Sequence, residues 1–257
     1  MSLGLTALRL QAVAALNSHP VIARLCDGRV YDSQIGDFDH RQPVPVIVVT
    51  TEELHGDGLS ANNGGTPFED ACDLVLEVMM CATEGADGET AVVNPVTDRE
   101  LEAVLNLIAW CAETMLTLGR PHPANRSTPE GRLLLAAVTR RVTKRTVSRF
   151  STDQAGVKLA LHLITFRVEV KGDDRGDARS PPSGPYAALP NPLRSVCEAA
   201  PEGSSAEGIC RLLVAALPPV PVPRDAPTVT FALNLTPVPA PNAGTPATAQ
   251  FPLDGSL

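Results

Sequence analysis

Proline is the strongest constraint on how this chain can fold. Its ring fixes φ and removes a backbone donor, which bars it from helix interiors and from central strands. Of the 24 prolines, 16 fall between Pro181 and Pro252, and the remaining 8 are spread over the first 180 residues. A packed domain is therefore expected at 1–172. The stretch Lys171 to Pro185, KGDDRGDARSPPSGP, is charged and then Ser/Pro/Gly-rich, which is linker composition. A linker is expected at 173–186 and a small or partly irregular C-terminal extension at 187–257.

Within the first part, hydrophobic periodicity sets the elements. Leu5, Leu8, Ala12 and Leu16 recur at helical spacing, predicting a helix over Leu3 to Leu16, followed by a helical turn from Pro20 to Leu25 and a short strand from Arg29 to Asp32. VPVIVVTT at Val44 to Thr51 is β-branched without alternation, as in a strand covered on both faces. LVLEVMMCA adds a strand from Val75 to Ala82. The longest helix is expected from Asp98 to Leu118. Thr97 and Glu100 form a capping box, and Leu101, Val104, Leu105, Ile108, Cys111, Ala112 and Met115 form one apolar stripe. Gly131 to Val142 reads as helical, and Thr146 to Ser151 with Gly156 to Lys171 as paired strands. In the last strand Val157, Leu159, Leu161 and Leu163 hand the apolar phase to Ile164, Phe166, Val168 and Val170, which implies a bulge or a strand serving two surfaces. In the extension, Leu193 to Ala199 and Ala206 to Leu217 read as helices and Thr228 to Leu235 as a strand. The order predicts an α+β fold, with a mostly antiparallel sheet packed with one long and one or two shorter helices, and a Pro-rich C-terminal extension.

Composition narrows function. The formal net charge is -8, so a global affinity for a phosphate backbone is not expected. Only nine residues are aromatic (six Phe, two Tyr, one Trp), and the core must be built from aliphatic side chains. No run of about 18 apolar residues is present, so no membrane-spanning helix is expected. The start, MSLGLTALRL, lacks the pattern of a signal peptide. None of Cys26, Cys72, Cys81, Cys111, Cys197 and Cys210 forms a CxxC pair, which reads as reduced cysteine in the cytoplasm rather than a disulfide scaffold.

No phosphate-cradling motif, nucleophile elbow, zincin helix or zinc-spaced Cys/His cluster occurs. No catalytic residue, cofactor or metal is expected from the pattern. Two segments stand out as contact surfaces. The stretch His55 to Pro67, HGDGLSANNGGTP, reads as a long loop offering His55, Asp57, Asn62 and Asn63; it lacks the oxygen spacing of a calcium loop. The run RRVTKRTVSR carries Arg140, Arg141, Lys144, Arg145 and Arg149, suited to a subunit contact or a surface facing DNA, without aromatics for base stacking.

Taken together, HPVIARLCDGRVYDS with PVIVVTTEE, then NPVTDRELEAVLNLIAWCAETML, then RRVTKRTVSRFSTDQAGVKLALHLITFRVEV resemble the tail terminator and tail-completion proteins of long-tailed bacteriophages and gene transfer agents. The resemblance covers residues 3–171. It implies a non-enzymatic virion protein that forms a ring, six-fold in the family, at the top of the tail tube. Its implied partners are other copies of itself, the tail tube protein and a head–tail connector or stopper, with genomic DNA passing through the lumen and no membrane. The implied location is the tail or neck of the virion, reached from the host cytoplasm. It further implies contacts through sheet edges, a use that the strand Val157 to Val170 would suit. The alternatives are a head–tail adaptor or stopper of the neck, an enzyme of unknown class using His55 or Asp57, and a DNA-binding module through the basic run.

Overall fold

The computed structural model describes residues 3–33, 44–58, 68–83, 98–117, 128–154, 157–174 and 182–217. Helix α1 (Gly4–Ser18) opens the chain and buries Leu8, Ala12, Ala15 and Leu16. Its first amides are capped from far away: the backbone N–H groups of Leu3 and Gly4 donate to the Asp173 carboxylate at 3.0 and 3.1 Å, placing an acidic group at the positive end of the helix. Helix α2 (Pro20–Cys26) starts at His19, whose Nδ1 accepts from the Val21 amide, with Pro20 in the first turn.

The sheet follows. Strand β1 (Val30–Asp32) lies parallel to β2 (Val46–Gly58); β2 pairs antiparallel with β3 (Phe68–Thr83), β3 with β5 (Val157–Val170), and β5 with β4 (Thr139–Gln154). The order is β1-β2-β3-β5-β4. The α+β class and the mostly antiparallel sheet are as expected. β5 is central, so the edge role assigned to Val157 to Val170 belongs instead to β4. No register shift interrupts β5 on either side where its apolar phase changes. It serves two surfaces: Ala160, His162, Ile164, Phe166, Val168 and Val170 are buried on one face, while Leu161 and Leu163 are half-buried on the other.

Helix α3 (Asp98–Leu116) buries Leu101, Leu105, Ile108, Cys111, Ala112 and Met115, each Leu or Ile contributing about 1.5–3 kcal/mol. Thr97 of the expected capping box lies outside the described residues. The segment read as helical to Val142 is shorter in helix than expected. α4 (Pro129–Leu133), capped by Thr128, runs into a π-helical turn (Leu134–Val138), and β4 begins at Thr139. Thr139, Val142, Thr143, Thr146 and Val147 are β-branched, and pairing with β5 overrides the helical spacing.

Helices α5 (Leu193–Ala199) and α6 (Ser205–Ala216) add Leu193, Val196, Cys197 and Cys210 to the same core as Leu8, Leu105 and Phe166. The expected domain boundary was residue 172, whereas the compact unit runs Met1–Val220, because these apolar faces are buried with the sheet and α1. A second unit comprises Pro221–Leu257; it lies outside the described residues, as does the strand expected at 228–235. Cys197 and Cys210 form a disulfide, which corrects the expectation of wholly reduced cysteines. The two positions face each other across the α5–α6 turn, a proximity that the linear spacing of 13 does not display. Cys26, Cys72 and Cys111 remain free thiols in the core.

Candidate interaction surface at the sheet edges

The basic run lies on β4, the outer strand beyond β5. Most of its cations are engaged within the chain. Arg140 pairs with Glu69 of β3, Arg141 with Glu169 of β5 at 2.7 Å, Arg145 with Glu113 of α3, and Arg149 with Glu102 of α3 at 2.9 Å. The Arg141 guanidinium, through its hydrogen bond, holds the Glu169 carboxyl below the usual glutamate range. Lys144 has no ion-pair partner among the described residues. The run is therefore largely neutralised by carboxylates of its own fold, which weakens its attraction for a polyanion.

Glu102 and Glu113 are 11 residues apart on α3, and Arg145 and Arg149 are four apart on β4. At about 1.5 Å per helical residue and 3.3 Å per strand residue, these spacings match to within a few ångströms. The helix thus staples the edge strand at two points. Inside this staple sits His162, 3 % exposed, with Nε2 at 3.3 Å from Glu102 Oε1. That distance is ion-pair range, yet neither ring nitrogen makes a hydrogen bond among the described residues. Between the two ion pairs on β4 lies Val147, and Phe150 follows; both are about half exposed.

At the other side of the sheet β1 covers β2 only at Ile47, Val48 and Val49. From Thr50 to Gly58, β2 has no outer strand among the described residues. His55 and Asp57, read from sequence as loop residues, sit on this strand paired with Ala71 and Glu69. Asn62 and Asn63 lie outside the described residues. Glu52, Glu53, Leu54, His55 and Asp57 are exposed. A bulge between Glu52 and His55 puts Glu53 at φ 42, an uncommon backbone state for a residue with a side chain. Glu53 approaches His55 at 3.7 Å.

Sequence reasoning missed the second edge because the glycines at 56 and 58 make the segment that carries Asp57 look like a loop. The sheet register brings out the relation. Glu52 pairs with Asp73, Asp73 with Arg167 and Arg167 with Lys144, so one row on one face reads minus, minus, plus, plus across β2, β3, β5 and β4. The inner pair is joined, Arg167 Nη1 to Asp73 Oδ1 at 3.1 Å; the outer members stand at opposite edges.

Among the described residues no group of three or more His, Cys, Asp or Glu side chains is placed to hold a metal. No described helix is long and apolar enough to cross a membrane. The free thiols of Cys26 and Cys72 are pushed up to about 12 by burial, which makes them inert packing groups rather than nucleophiles. A shallow pocket lined by Pro185, Tyr186, Glu207, Arg211, Val214 and Ala215 lies beside α6. There the Gly203 amide, and then Arg211, hold the Glu207 carboxyl low.

No protein-family model matches the chain, and no curated protein matches it in sequence. Among solved structures, the chain is similar to a chain of the virion of a native gene transfer agent particle. The identity is 13 %, with 62 % of this chain and 91 % of that chain covered and a TM-score of 0.30.

Proposed function

We propose that this chain is a structural virion protein of a phage-like particle, a tail terminator that assembles as a ring, hexameric by family resemblance, on the tail tube. It ends tube polymerisation and presents the docking face for the head connector. The observation that supports this best is the sheet with two long edge segments exposed, β4 and the outer half of β2. Open edges are ready contacts for another chain, and a protein whose two edges differ assembles head to tail, the arrangement that closes into rings. Half-exposed Val147 lies between the Arg145 and Arg149 ion pairs on one face of β4, and half-exposed Phe150 lies on the other, so each face of the edge offers an apolar side chain to a partner. The function proposed is contact-making rather than catalytic.

Electron microscopy of particles assembled without this protein tests the reading. Tails of uncontrolled length beside unattached full heads are the expected result. Normal-length tails left unattached would replace the terminator with a neck adaptor or stopper, and intact infectious particles would remove both.

A further inference from the structure

The two exposed edges lie at the same level of the sheet. Following the register outward, Thr50 of β2 aligns through Val75 and Thr165 with Thr146 of β4. Glu52 aligns through Asp73 and Arg167 with Lys144, and His55 through Ala71 and Glu169 with Arg141. The part of β2 that β1 leaves uncovered is thus opposite the most basic part of β4, across the full width of the sheet. One edge there carries Glu52, Glu53 and Asp57; the other carries Lys144, which has no ion-pair partner among the described residues, beside Arg140, Arg141 and Arg145, which pair with carboxylates of their own subunit.

Strand direction is compatible with joining them. β2 and β5 run one way and β3 and β4 the other. A rotation about an axis along the strands carries a sheet to its neighbour's place without reversing it. β4 of one copy then meets β2 of the next antiparallel, at matching height and with opposite charge. Both edges are bulged at this level, β2 between Glu52 and His55 and β4 between Thr139 and Arg141 and between Val142 and Lys144. Bulges discourage indiscriminate backbone pairing, which leaves side-chain charge to choose the partner.

We propose that the partner of each edge is a second copy of this chain: the acidic outer half of β2, centred on Glu52, docks against the basic half of β4, centred on Lys144, of its neighbour. The contact extends the row Glu52, Asp73, Arg167, Lys144 into the next subunit, so that Glu52 and Lys144, each beside a like charge within its own sheet, gain an opposite charge across the joint. This inference rests on the reading of the chain as a ring subunit and specifies which surfaces close the ring. Because the pairs are exposed, added salt weakens the association.

The test is sedimentation velocity of the full chain, alone and with purified tail tubes, on four proteins: the natural chain, Glu52→Lys, Lys144→Glu, and the double reversal in one chain. Circular dichroism checks that each is folded. Each single reversal sets like charges together and is expected to weaken self-association roughly tenfold per contact. The double reversal restores opposite signs and should recover the natural assembly. An equimolar mixture of the two single reversals should recover it as well, by alternating. If the natural chain forms rings and the single reversals assemble equally well, or the folded double reversal stays dissociated, the edge assignment is wrong while the ring reading stands. If the natural chain associates neither alone nor on tubes, the ring reading falls and this inference with it. If assembly is untouched but Lys144→Glu abolishes salt-sensitive retention of duplex DNA, the β4 edge serves nucleic acid and the proposal is overturned.

Discussion

Replacing His162 with Leu is expected to stabilise the protein. His162 is at the middle of β5, 3 % exposed, opposite Val78 of β3 and Arg149 of β4. Neither Nδ1 nor Nε2 makes a hydrogen bond among the described residues, and a buried polar group left unmet costs roughly 1–3 kcal/mol. A leucine of similar size gains about 1.5–3 kcal/mol from full burial. Against this stands the loss of attraction between Nε2 and Glu102 at 3.3 Å. Glu102 is 29 % exposed, so that attraction is worth below about 1 kcal/mol, and Glu102 keeps Arg149 as a partner. Allowing for imperfect packing, the net gain is about 1–2 kcal/mol, or roughly 2–8 °C in Tm for a domain of this size. Urea titration and calorimetry measure it, with an unchanged denaturant slope showing that the folded state is intact. A loss of more than about 1 kcal/mol would refute the reasoning: it would mean that the imidazole is satisfied in its site and helps to hold α3 on the sheet.

Other expectations follow from the same geometry. Ile108→Ala, in the fully buried stripe of α3, should cost about 2–5 kcal/mol in the same denaturation assay. Arg141→Gln should raise the titration of Glu169, observed by carboxyl NMR, toward the ordinary value of 4.5. The sign follows from linkage. The Glu169 carboxyl is held low in the folded state, so its contribution is present above 4.5 and lost as pH falls below it. The variant should therefore lose stability near neutral pH and differ little from the natural chain in strong acid. Peptide mapping without reductant should recover Cys197 joined to Cys210, and reduction should lower stability by about 3 kcal/mol, as expected for a loop of 13 residues.

The long helix and the hydrophobic strands were legible because burial writes its period into the sequence. The α3 stripe from Leu101 to Met115 and the apolar run at Val46 to Val49 needed only local pattern. The Arg140 to Arg149 run was equally visible as a basic segment. Its neutralisation was not, because Glu69, Glu102, Glu113 and Glu169 come from three other elements. The acidic edge was hidden for a related reason: Gly56 and Gly58 make His55 to Gly58 look like a loop, whereas pairing with Phe68 to Ala71 keeps it in strand. The proline count did not show the core reaching past the linker, because Pro190 and Pro192 precede, rather than interrupt, the helix that delivers Leu193 and Val196. The cross-sheet row from Glu52 to Lys144 exists only once register is known.

The clasp of Asp173 on the amides of Leu3 and Gly4 has a consequence for the order in which the molecule can form. α1 is made before the sheet, yet its starting turn is closed by a residue 170 positions later, and part of its apolar side is packed by α4, the π-helical turn and α5. α2, β1, β2 and α3 shelter part of α1 earlier, and its packing is complete only when those later segments have been synthesised. Such long separations slow the search for the native arrangement. β2 and β4 both precede Asp173 in the chain, so the two edges proposed to recruit a neighbour are made before the clasp that closes the first turn of α1.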